Sequence, residues 1–249
     1  MIYVTGDIHG HHDIRKLSSR NWPEGKSLSF DDYVIICGDF GLFWGDRSAK
    51  GDDYWRDWLE QKHWTTLFVD GNHENHDMLD SMPVSEWMGG HAHIDPRWPH
   101  IVHMMRGEVY EVPDSGETVR IFAFGGARSH DVEWRTEGVS WWPRELPNLT
   151  EYERGEENLG SCGWKVDYVI THDAPTETKH ALLTTFPEEW ATDRWEDDRL
   201  NGYLDRFEER LSYRKWYFGH YHDDKVVDER HDVLYNQIVE IGGDPVPRP

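Results

Sequence analysis

The chain has 249 residues, of which 37% are hydrophobic, 14% aromatic and 30% charged, as expected of a folded globular protein rather than a disordered one. Its formal net charge of −22 argues against nonspecific binding to nucleic acid or to an anionic membrane. No apolar run approaches the ~20 residues of a membrane span, and no signal sequence is evident, so we expect a cytoplasmic protein. Only two cysteines occur, so we expect no disulfide bonds.

Five short apolar runs, rich in β-branched and aromatic residues, predict buried strands along the chain. They are IYVT (2–5), YVIIC (33–37), TLFV (66–69), YVI (168–170) and WYF (216–218). A polar residue lies within a few positions after each run, and in four of the five cases a glycine directly precedes that residue. Glycine permits a sharp turn there and leaves room for a bound group. Cys37, within the second run, is expected to be a small buried hydrophobe.

The polar residues that follow the runs share a chemistry. They are Asp7, His9, Asp39, Asn72, His172, His220 and His222. Because ligands of open α/β sheets bind beyond the carboxyl ends of the strands, we expect these side chains to gather at one edge. Imidazole, amide and carboxylate groups suit divalent transition metals, and the set has about the size needed by two ions that share a carboxylate. Each residue alone would be explained as a turn former, a helix cap or an ordinary histidine, so the repetition at five strand ends favours a metal site.

The same residues lie within five motifs in a characteristic order. The motifs are GDIHG (6–10), GDFG (38–41), GNHE (71–74), TH (171–172) and GHYH (219–222). In these motifs, over nearly the whole chain, the sequence resembles the calcineurin-like metallophosphoesterase superfamily. The resemblance implies an α/β fold, a four-layer α-β-β-α sandwich of two mixed sheets flanked by helices, with a binuclear metal site at the strand carboxyl ends. It also implies hydrolysis of phosphate esters by a metal-bound hydroxide. No linker divides the chain, and we expect one domain over residues 1–249.

The resemblance implies a role for each motif residue. Asp7, His9 and His222 are the expected ligands of the first metal. Asn72, His172 and His220 are the expected ligands of the second metal, and Asp39 is expected to bridge the two. His73 resembles the family's catalytic histidine, which would hydrogen-bond the phosphoryl group or protonate the leaving oxygen. Glu74 and Asp173 are candidates for carboxylates that orient the imidazoles, with a solvated loop position as the alternative. The ligands permit two ions of manganese, iron, zinc, nickel or cobalt, and manganese is favoured.

The chain departs from the protein phosphatases of this superfamily after the second motif. Those relatives carry GDxxDRG, whereas GDFGLFWGDR lacks the phosphate-binding arginine at that spacing. Phe43 and Trp44 stand there instead, either as an aromatic rim against an apolar leaving group or as a plug that closes the core. Arg128, in GGARSHD (125–131), is a candidate substitute for the phosphate contact, with a salt bridge to a nearby acid as the alternative, and His130 is a second candidate. The stretch FGGARSHD…SWWPRELP resembles a bacterial subgroup.

Local patterns predict the character of several other segments. HHD (11–13) is expected to open a helix, and residues 85–100 to form a surface loop in which His91 and His93 do not bind metal. Residues 100–124 are predicted to form a β-meander whose hairpin turn lies in EVPDSGETV.

Two insertions interrupt the metal motifs, at about 131–160 and 174–197. Both begin just after strand ends that carry site residues, so we expect them to form walls or a lid over the metals. The first contains several tryptophans and an acidic helical stretch. Residues 198–211 have apolar residues at helical intervals and predict a core-packed helix.

Together these patterns favour a di-metal phosphoesterase that acts on a small-molecule phosphate ester or anhydride. A serine/threonine-type protein phosphatase is one alternative, weakened by the missing arginine. A non-catalytic scaffold with the same fold is another, but it would be expected to have lost metal ligands or the catalytic histidine, and this chain retains both. The sequence does not distinguish monoester, diester and anhydride substrates, and it does not indicate an oligomeric state.

Overall fold

The computed structural model of the chain describes residues 1–45, 50–187 and 197–245. Within these ranges the strands form one sheet of seven strands and one of six. The strands are β1 (Ile2–Thr5), β2 (Tyr33–Ile36), β3 (Thr65–Phe68), β4 (Val84–Trp87), β5 (Gly90–Ile94), β6 (Ile101–Met104), β7 (Glu108–Asp114), β8 (Glu117–Phe124), β9 (Tyr168–Thr171), β10 (Lys215–Phe218), β11 (Lys225–Val226), β12 (His231–Val233) and β13 (Ile238–Glu240). The α-helices are α1 (Lys50–Glu60), α2 (His76–Asp80), α3 (Leu149–Ser161), α4 (Thr176–Leu183) and α5 (Arg199–Glu208). Short 3-10 helices span Ile14–Leu17, Pro23–Lys26, Val132–Trp134 and Pro143–Glu145.

Both sheets are parallel at the centre and antiparallel at the edges. The first has the order β13-β1-β2-β3-β6-β5-β4, in which β1, β2, β3 and β6 are parallel. The second has the order β11-β12-β10-β9-β8-β7, in which β12, β10, β9 and β8 are parallel. Parallel neighbours end at the same edge of a sheet, so the residues after these strands are brought close together.

Hydrophobic cores between and outside the sheets explain why the strands read as continuous apolar runs. In β2, Ile35 packs into the core between the sheets, whereas Val34 and Ile36 pack into the core on the outer face. Successive strand side chains point to opposite faces, so both faces must be apolar. The outer core of the first sheet includes Leu59 of α1, and that of the second includes Phe207 of α5. The fold is therefore the predicted four-layer α-β-β-α sandwich of two mixed sheets flanked by helices.

The strongest sequence patterns correspond to the observed elements. The five predicted strands agree with β1, β2, β3, β9 and β10 to within one residue at each end. The predicted acidic helical stretch, residues 146–158, overlaps α3, which begins with a capping box between Asn148 and Glu151. Residues 198–211 contain α5, which begins with a second capping box at Asp198. Hydrogen bonds of this kind satisfy backbone N–H groups that the first helical turn leaves unpaired.

Three local predictions are wrong. Residues 85–100 do not form a loop, because β4 and β5 make an antiparallel hairpin within them. Its outer strand alternates exposed and half-buried residues, which weakens the apolar signal of a strand. Residues 100–124 are not a meander of one sheet, since β6 belongs to the first sheet and β7 to the second. Residues 11–13 form turns before a short 3-10 helix rather than an α-helix.

The predicted hairpin turn in EVPDSGETV is confirmed. β7 pairs with β8 on either side of Ser115 and Gly116, whose φ angles of 49° and 90° are both positive, as a tight two-residue turn requires. The first insertion contains two 3-10 helices and α3, and the second contains α4. Residues 188–196 of the second insertion lie outside the described residues, so the predicted lid is not addressed there. None of the described helices has the length and apolar character needed to cross a membrane.

Candidate metal centre

The polar residues after five strands meet where the parallel centres of the two sheets end. In chain order, after β1, β2, β3, β9 and β10, they are Asp7, His9, Asp39, Asn72, His73, His172, His220 and His222. Among the described residues, three groups each offer ligand atoms that lie within 4.8 Å of one another. These groups are Asp7, His9 and His222; His9, Asp39 and His73; and Asp7, Asp39 and His172. The fold thus assembles predicted ligands that are up to 215 positions apart in the chain, from 7 to 222.

One carboxylate oxygen at the site is buried without a hydrogen bond. The Asp7 side chain is fully buried, and its Oδ1 accepts the backbone N–H of His220 at 3.0 Å. Its Oδ2 receives no hydrogen bond, although His222 Nε2 lies 3.2 Å away and His9 Nε2 3.9 Å away. An unsatisfied buried carboxylate oxygen is costly, and two ring nitrogens beside it complete a set of donors that suits a divalent cation. The residues therefore fit the implied metal.

A second group is centred on His172 and is more deeply buried. Its Nε2 lies 3.3 Å from Asp39 Oδ1 and 3.3 Å from Asn72 Oδ1. Its ring packs against that of His220 with centroids 5.0 Å apart. The other oxygen of Asp39, Oδ2, lies 3.3 Å from His9 Nε2. The Asp39 carboxylate therefore reaches both groups, the position that a bridging ligand needs.

Two buried carboxylates dominate the electrostatics of the site. Burial opposes their charge, but the imidazoles, His172 foremost, lower the pKa of Asp7 and hold that of Asp39 well below its usual range. Burial also opposes a charged imidazole, yet these carboxylates raise the pKa of His9 to about 9 and that of His172 to about 10. His220, buried beside His172, instead has its pKa lowered to about 4. The mutual shifts show a site that strongly favours positive charge.

The backbone at the site is tightly constrained. Four predicted ligands have φ between 44° and 67°, a left-handed region that residues other than glycine seldom adopt. They are His9, Asp39, His220 and His222. The glycines before ligands are needed for space, because a Cβ on Gly219 would overlap the Asp7 carboxylate and one on Gly71 would overlap Asp39. The Gly-polar pairs in the sequence therefore reflect close approach between segments.

Two contacts that the sequence did not reveal orient the imidazoles. His172 Nδ1 donates to the backbone carbonyl of Cys37 at 2.7 Å, which leaves Nε2 to face Asp39. His9 Nδ1 lies 3.2 Å from Asp13 Oδ2. A partner on one ring nitrogen fixes the orientation and tautomer of a ligating histidine. Cys37 is fully buried as predicted, and its carbonyl adds this second contribution.

Glu74 and Asp173 are buried, which excludes the solvated loop positions considered as alternatives. Glu74 Oε1 accepts the backbone N–H of Phe40 at 2.6 Å and so supports the loop after Asp39. Burial raises the pKa of Glu74 well above its usual range. Asp173 accepts from the amide of Asn201 at 3.0 Å, which ties the segment after His172 to α5. Their role as carboxylates that orient imidazoles stays a prediction.

His73 lies beside an arginine that the sequence patterns did not indicate. Its backbone N–H donates to Asp39 Oδ1 at 2.7 Å, and Arg135 Nη2 lies 3.3 Å from its Nε2. Burial, assisted by the Arg135 guanidinium, lowers the pKa of His73 against the opposing influence of Asp39. An ion pair with Asp131 at 2.7 Å and a hydrogen bond to the Ser140 carbonyl at 3.3 Å hold the arginine in place. The first insertion therefore supplies a cation to the site.

The two substrate contacts predicted in the GGARSHD loop have different surroundings. Arg128 and His130 are both exposed, and neither lines the cleft described below. Ser129 between them is buried and accepts a hydrogen bond from Asn72 Nδ2 at 3.2 Å. A small polar residue between an arginine and a histidine, just after a buried strand, was the available signal. Arg135 has no comparable signal, because its approach to His73 depends on the path of the insertion.

An open cleft of about 770 Å³ lies over the site. It is lined by His9, Gly10, His11, His12, Asp13, Gly41, Trp44, Asp52, His73, His222 and Tyr235. Trp44 stacks over His73 with ring centroids 6.0 Å apart, whereas Phe43 is buried in the outer core against Phe68. The two roles considered for Phe43 and Trp44, a plug of the core and an aromatic rim, are therefore taken by one residue each. Phe43 closes the core, and Trp44 forms part of the rim.

The four-layer sandwich gathers carboxylate, imidazole and amide side chains at its strand ends, the arrangement expected of a metal-dependent phosphoesterase. The sequence model of one such family, the calcineurin-like phosphoesterases, matches residues 1–224. The chain belongs to this family, and membership indicates a metal-dependent hydrolase. A search of curated proteins found no match.

Proposed function

We propose that the protein hydrolyses a phosphate ester or anhydride of a small molecule with two divalent metal ions, manganese being favoured. The observation that carries this proposal is the buried Asp7 Oδ2, which has no hydrogen bond and faces two imidazole nitrogens, beside an Asp39 carboxylate shared with His172. When bound, the two ions would supply an activated water and would stabilise charge on the phosphoryl oxygens.

The residues at the edge of the site would bind the phosphoryl group. Arg135 presents a permanent donor beside His73, and a phosphoryl oxygen that enters between them could accept from both side chains. Arg135 would thereby replace the arginine that the second motif lacks. The Asp131 ion pair and the Ser140 carbonyl limit the freedom of the guanidinium, so less entropy is lost when it binds an oxyanion.

The rest of the substrate would occupy the open cleft. Trp44 stacks on His73 from this side, and Tyr235 stacks on His222 with centroids 4.6 Å apart and planes 12° apart. Two aromatic faces beside the reacting position favour a leaving group with an apolar or planar part. This arrangement supports a small molecule rather than a phosphopeptide. The retention of every predicted ligand type and of His73 supports an enzyme rather than a scaffold.

The experiment is a phosphoester panel assayed with protein that has been stripped of metal and reloaded with Mn²⁺. The panel contains an aryl monoester, an aryl diester, cyclic nucleotides, a dinucleoside polyphosphate and a phosphopeptide. We expect metal-dependent turnover of one small-molecule class, falling ~10²–10⁴-fold in His73→Ala, because a positioned acid or hydrogen-bond donor contributes about that much. Metal content of both proteins is measured in parallel, so that a loss of chemistry is separated from a loss of metal.

Three outcomes would contradict the proposal. Wild-type protein that binds no metal would refute the metal centre. Protein that binds two ions and hydrolyses nothing in the panel would count against the hydrolase. Turnover of the phosphopeptide well above that of every small molecule would favour the protein phosphatase.

A further inference from the structure

A chain of three buried side chains connects the first insertion to the metal centre. Glu145 ends the 3-10 helix Pro143–Glu145, and Ser129 and Asn72 lie between it and His172. Asn72, Ser129 and Glu145 are 4%, 2% and 2% exposed. A buried carboxylate at the end of such a chain calls for an explanation, because burial is unfavourable for its charge and raises its pKa.

The hydrogen bonds in this chain have only one consistent direction when Glu145 is ionised. Its Oε1 accepts the backbone N–H of Ser129 at 2.8 Å, and its Oε2 accepts the Ser129 hydroxyl at 2.7 Å. A hydroxyl has a single proton, so Ser129 Oγ can then only accept from its other neighbour. That neighbour is Asn72, which donates through Nδ2 at 3.2 Å.

The direction decides which end of the Asn72 amide faces the metal centre. The oxygen and nitrogen of an amide are alike in size, so packing alone does not distinguish the two orientations. With Nδ2 committed to Ser129, Oδ1 lies on the other side of the amide, 3.3 Å from His172 Nε2. Only the oxygen has lone pairs for a cation, and a reversed amide would present N–H groups to it.

The segment that carries Glu145 is itself anchored to the strand end that carries Asn72. Arg106 is buried and donates to the backbone carbonyls of Arg144 at 2.9 Å and Glu145 at 3.1 Å. The same guanidinium donates to Asp70 Oδ2, two residues before Asn72, with Nε at 2.9 Å. The insertion and the end of β3 are therefore held at a fixed separation, which the short Glu145–Ser129–Asn72 chain requires.

We propose that Ser129 and Glu145 are positioning residues, which fix the Asn72 amide with its oxygen toward the second metal. The proposal rests on the metal centre of the proposed function. It gives the first insertion a role beneath the site in addition to any role as a wall.

The test is a titration of metal-free protein with Mn²⁺ in which binding is measured by calorimetry. The absorption spectrum of bound Co²⁺ gives a second measure of ligand number. Glu145→Gln keeps the shape of the side chain but adds a donor, so the Ser129 hydroxyl is released to donate toward Asn72. We expect Glu145→Gln and Ser129→Ala to weaken the second Mn²⁺ by ~10–100-fold, the usual effect of losing an outer partner of a ligand. The first Mn²⁺ should bind within about 2-fold of wild type, as should both ions in the control Ser161→Ala, whose hydroxyl bonds within α3.

A double variant separates positioning from a merely structural role. In Asn72→Asp both ends of the side chain are oxygens, so its ligand atom no longer depends on the direction set by Glu145. The carboxylate of Asn72→Asp cannot donate to Ser129 Oγ, and Glu145→Gln frees the Ser129 hydroxyl to donate to it, so adding Glu145→Gln should cause no further loss of second-Mn²⁺ affinity. Wild-type affinity in both single variants would overturn the proposal, as would an equal further loss in the double variant. Wild type that binds two Mn²⁺ without hydrolysing any phosphoester would refute the proposed function alone, whereas absence of Mn²⁺ binding would refute both.

Discussion

The two groups of expected metal ligands differ in their access to solvent. The closed half is defined by the ligands expected for the second metal, which are Asn72, His172 and His220. Their exposed fractions are 4%, 0% and 8%. The open half is defined by the ligands expected for the first metal, which are Asp7, His9 and His222. Its Asp7 carboxylate is buried, but its two imidazole side chains, those of His9 and His222, are 17% and 50% exposed and both line the cleft.

This difference in burial suits the two halves to different roles around the shared Asp39 carboxylate. Solvent has little access to the closed half, so a misplaced polar atom there would be poorly compensated, and its expected ligands have fixed partners such as the Cys37 carbonyl and Ser129. A catalytic metal site must also keep a position for water or substrate. The open half, which faces the cleft, is suited to provide it. Asp39 lies 3.3 Å from His9 of the open half and 3.3 Å from His172 of the closed half, so it contacts both.

The largest effect is expected from removing the central imidazole of the closed half. His172→Ala should lower turnover by at least ~10³-fold, because metal stabilisation of the phosphoryl oxygens is worth several kcal/mol. It should also lower the free energy of unfolding of the metal-free protein by about 1–3 kcal/mol, since the buried Cys37 carbonyl loses its donor. His222→Ala, in the open half, should reduce turnover but change unfolding by less than ~0.5 kcal/mol. Urea unfolding in chelator measures both, and equal destabilisation would remove the distinction between the halves.

The neighbouring aromatic residues Phe43 and Trp44 extend the comparison from the metal ligands to the cleft. Phe43→Ala should destabilise the protein by ~3–5 kcal/mol, because it leaves a cavity in the outer core. Trp44→Ala removes a partly exposed ring and should cost only about 1 kcal/mol, while raising KM for a substrate with a planar leaving group. Thermal unfolding together with steady-state kinetics tests the pair. A stability loss for Trp44→Ala as large as that for Phe43→Ala would place the tryptophan in the core instead.

A smaller effect, confined to substrate binding, is expected at the arginine of the first insertion. Arg135→Ala should reduce kcat/KM by ~10–100-fold, corresponding to the loss of one hydrogen bond to a charged group, with Arg135→Lys intermediate. Binding of both Mn²⁺ ions should be unchanged, since the guanidinium contacts His73 and not the ligands of either half. Arg128→Ala tests the alternative that Arg128, rather than Arg135, binds the phosphoryl group. A larger loss in that variant would restore the exposed arginine as the phosphate contact.

The smallest effect concerns pH, and it must be separated from any titration of the metal centre. His231 lies on β12, 2.8 Å from Asp228 and 3.2 Å from Glu208. Burial opposes its charge, but these carboxylates raise its pKa above the usual value. A raised folded-state pKa gives stability that is complete below the unfolded pKa of about 6.5 and is lost as pH rises through the folded value.

The unfolding free energies of wild type and His231→Gln should therefore differ most near pH 6 and least at alkaline pH. We expect a maximum difference on the order of 1 kcal/mol, a hydrogen bond to a charged group being worth about that. Urea unfolding across this range, in chelator, measures it, and His63→Gln, which packs against Phe30, provides the control. A difference that grows with pH would show that the histidine is neutral in the folded protein.

The strands and the types of polar residue at their ends could be predicted from the sequence alone. Runs such as YVIIC are apolar on both faces because β2 is covered on both sides, and that requirement is visible in a single segment. The glycines before Asp7, Asp39, Asn72 and His220 could also be recognised locally. Neighbouring segments approach so closely there that a Cβ would not fit. The family motifs then supplied the expected roles. All of this information lies within a few residues of each strand end.

The distant side chains that support those residues could not be predicted, because their positions depend on tertiary packing. Arg135 approaches His73, and Glu145 reaches Asn72 through Ser129, across separations that no local pattern encodes. Their identities depend on the path of the insertion, which the buried Arg106 anchors to Asp70. The division into an open and a closed half is likewise invisible in the motifs, because His172 and His222 are the same residue type after similar strands. What separates them is burial, and burial is a property of the packed layers rather than of the segment.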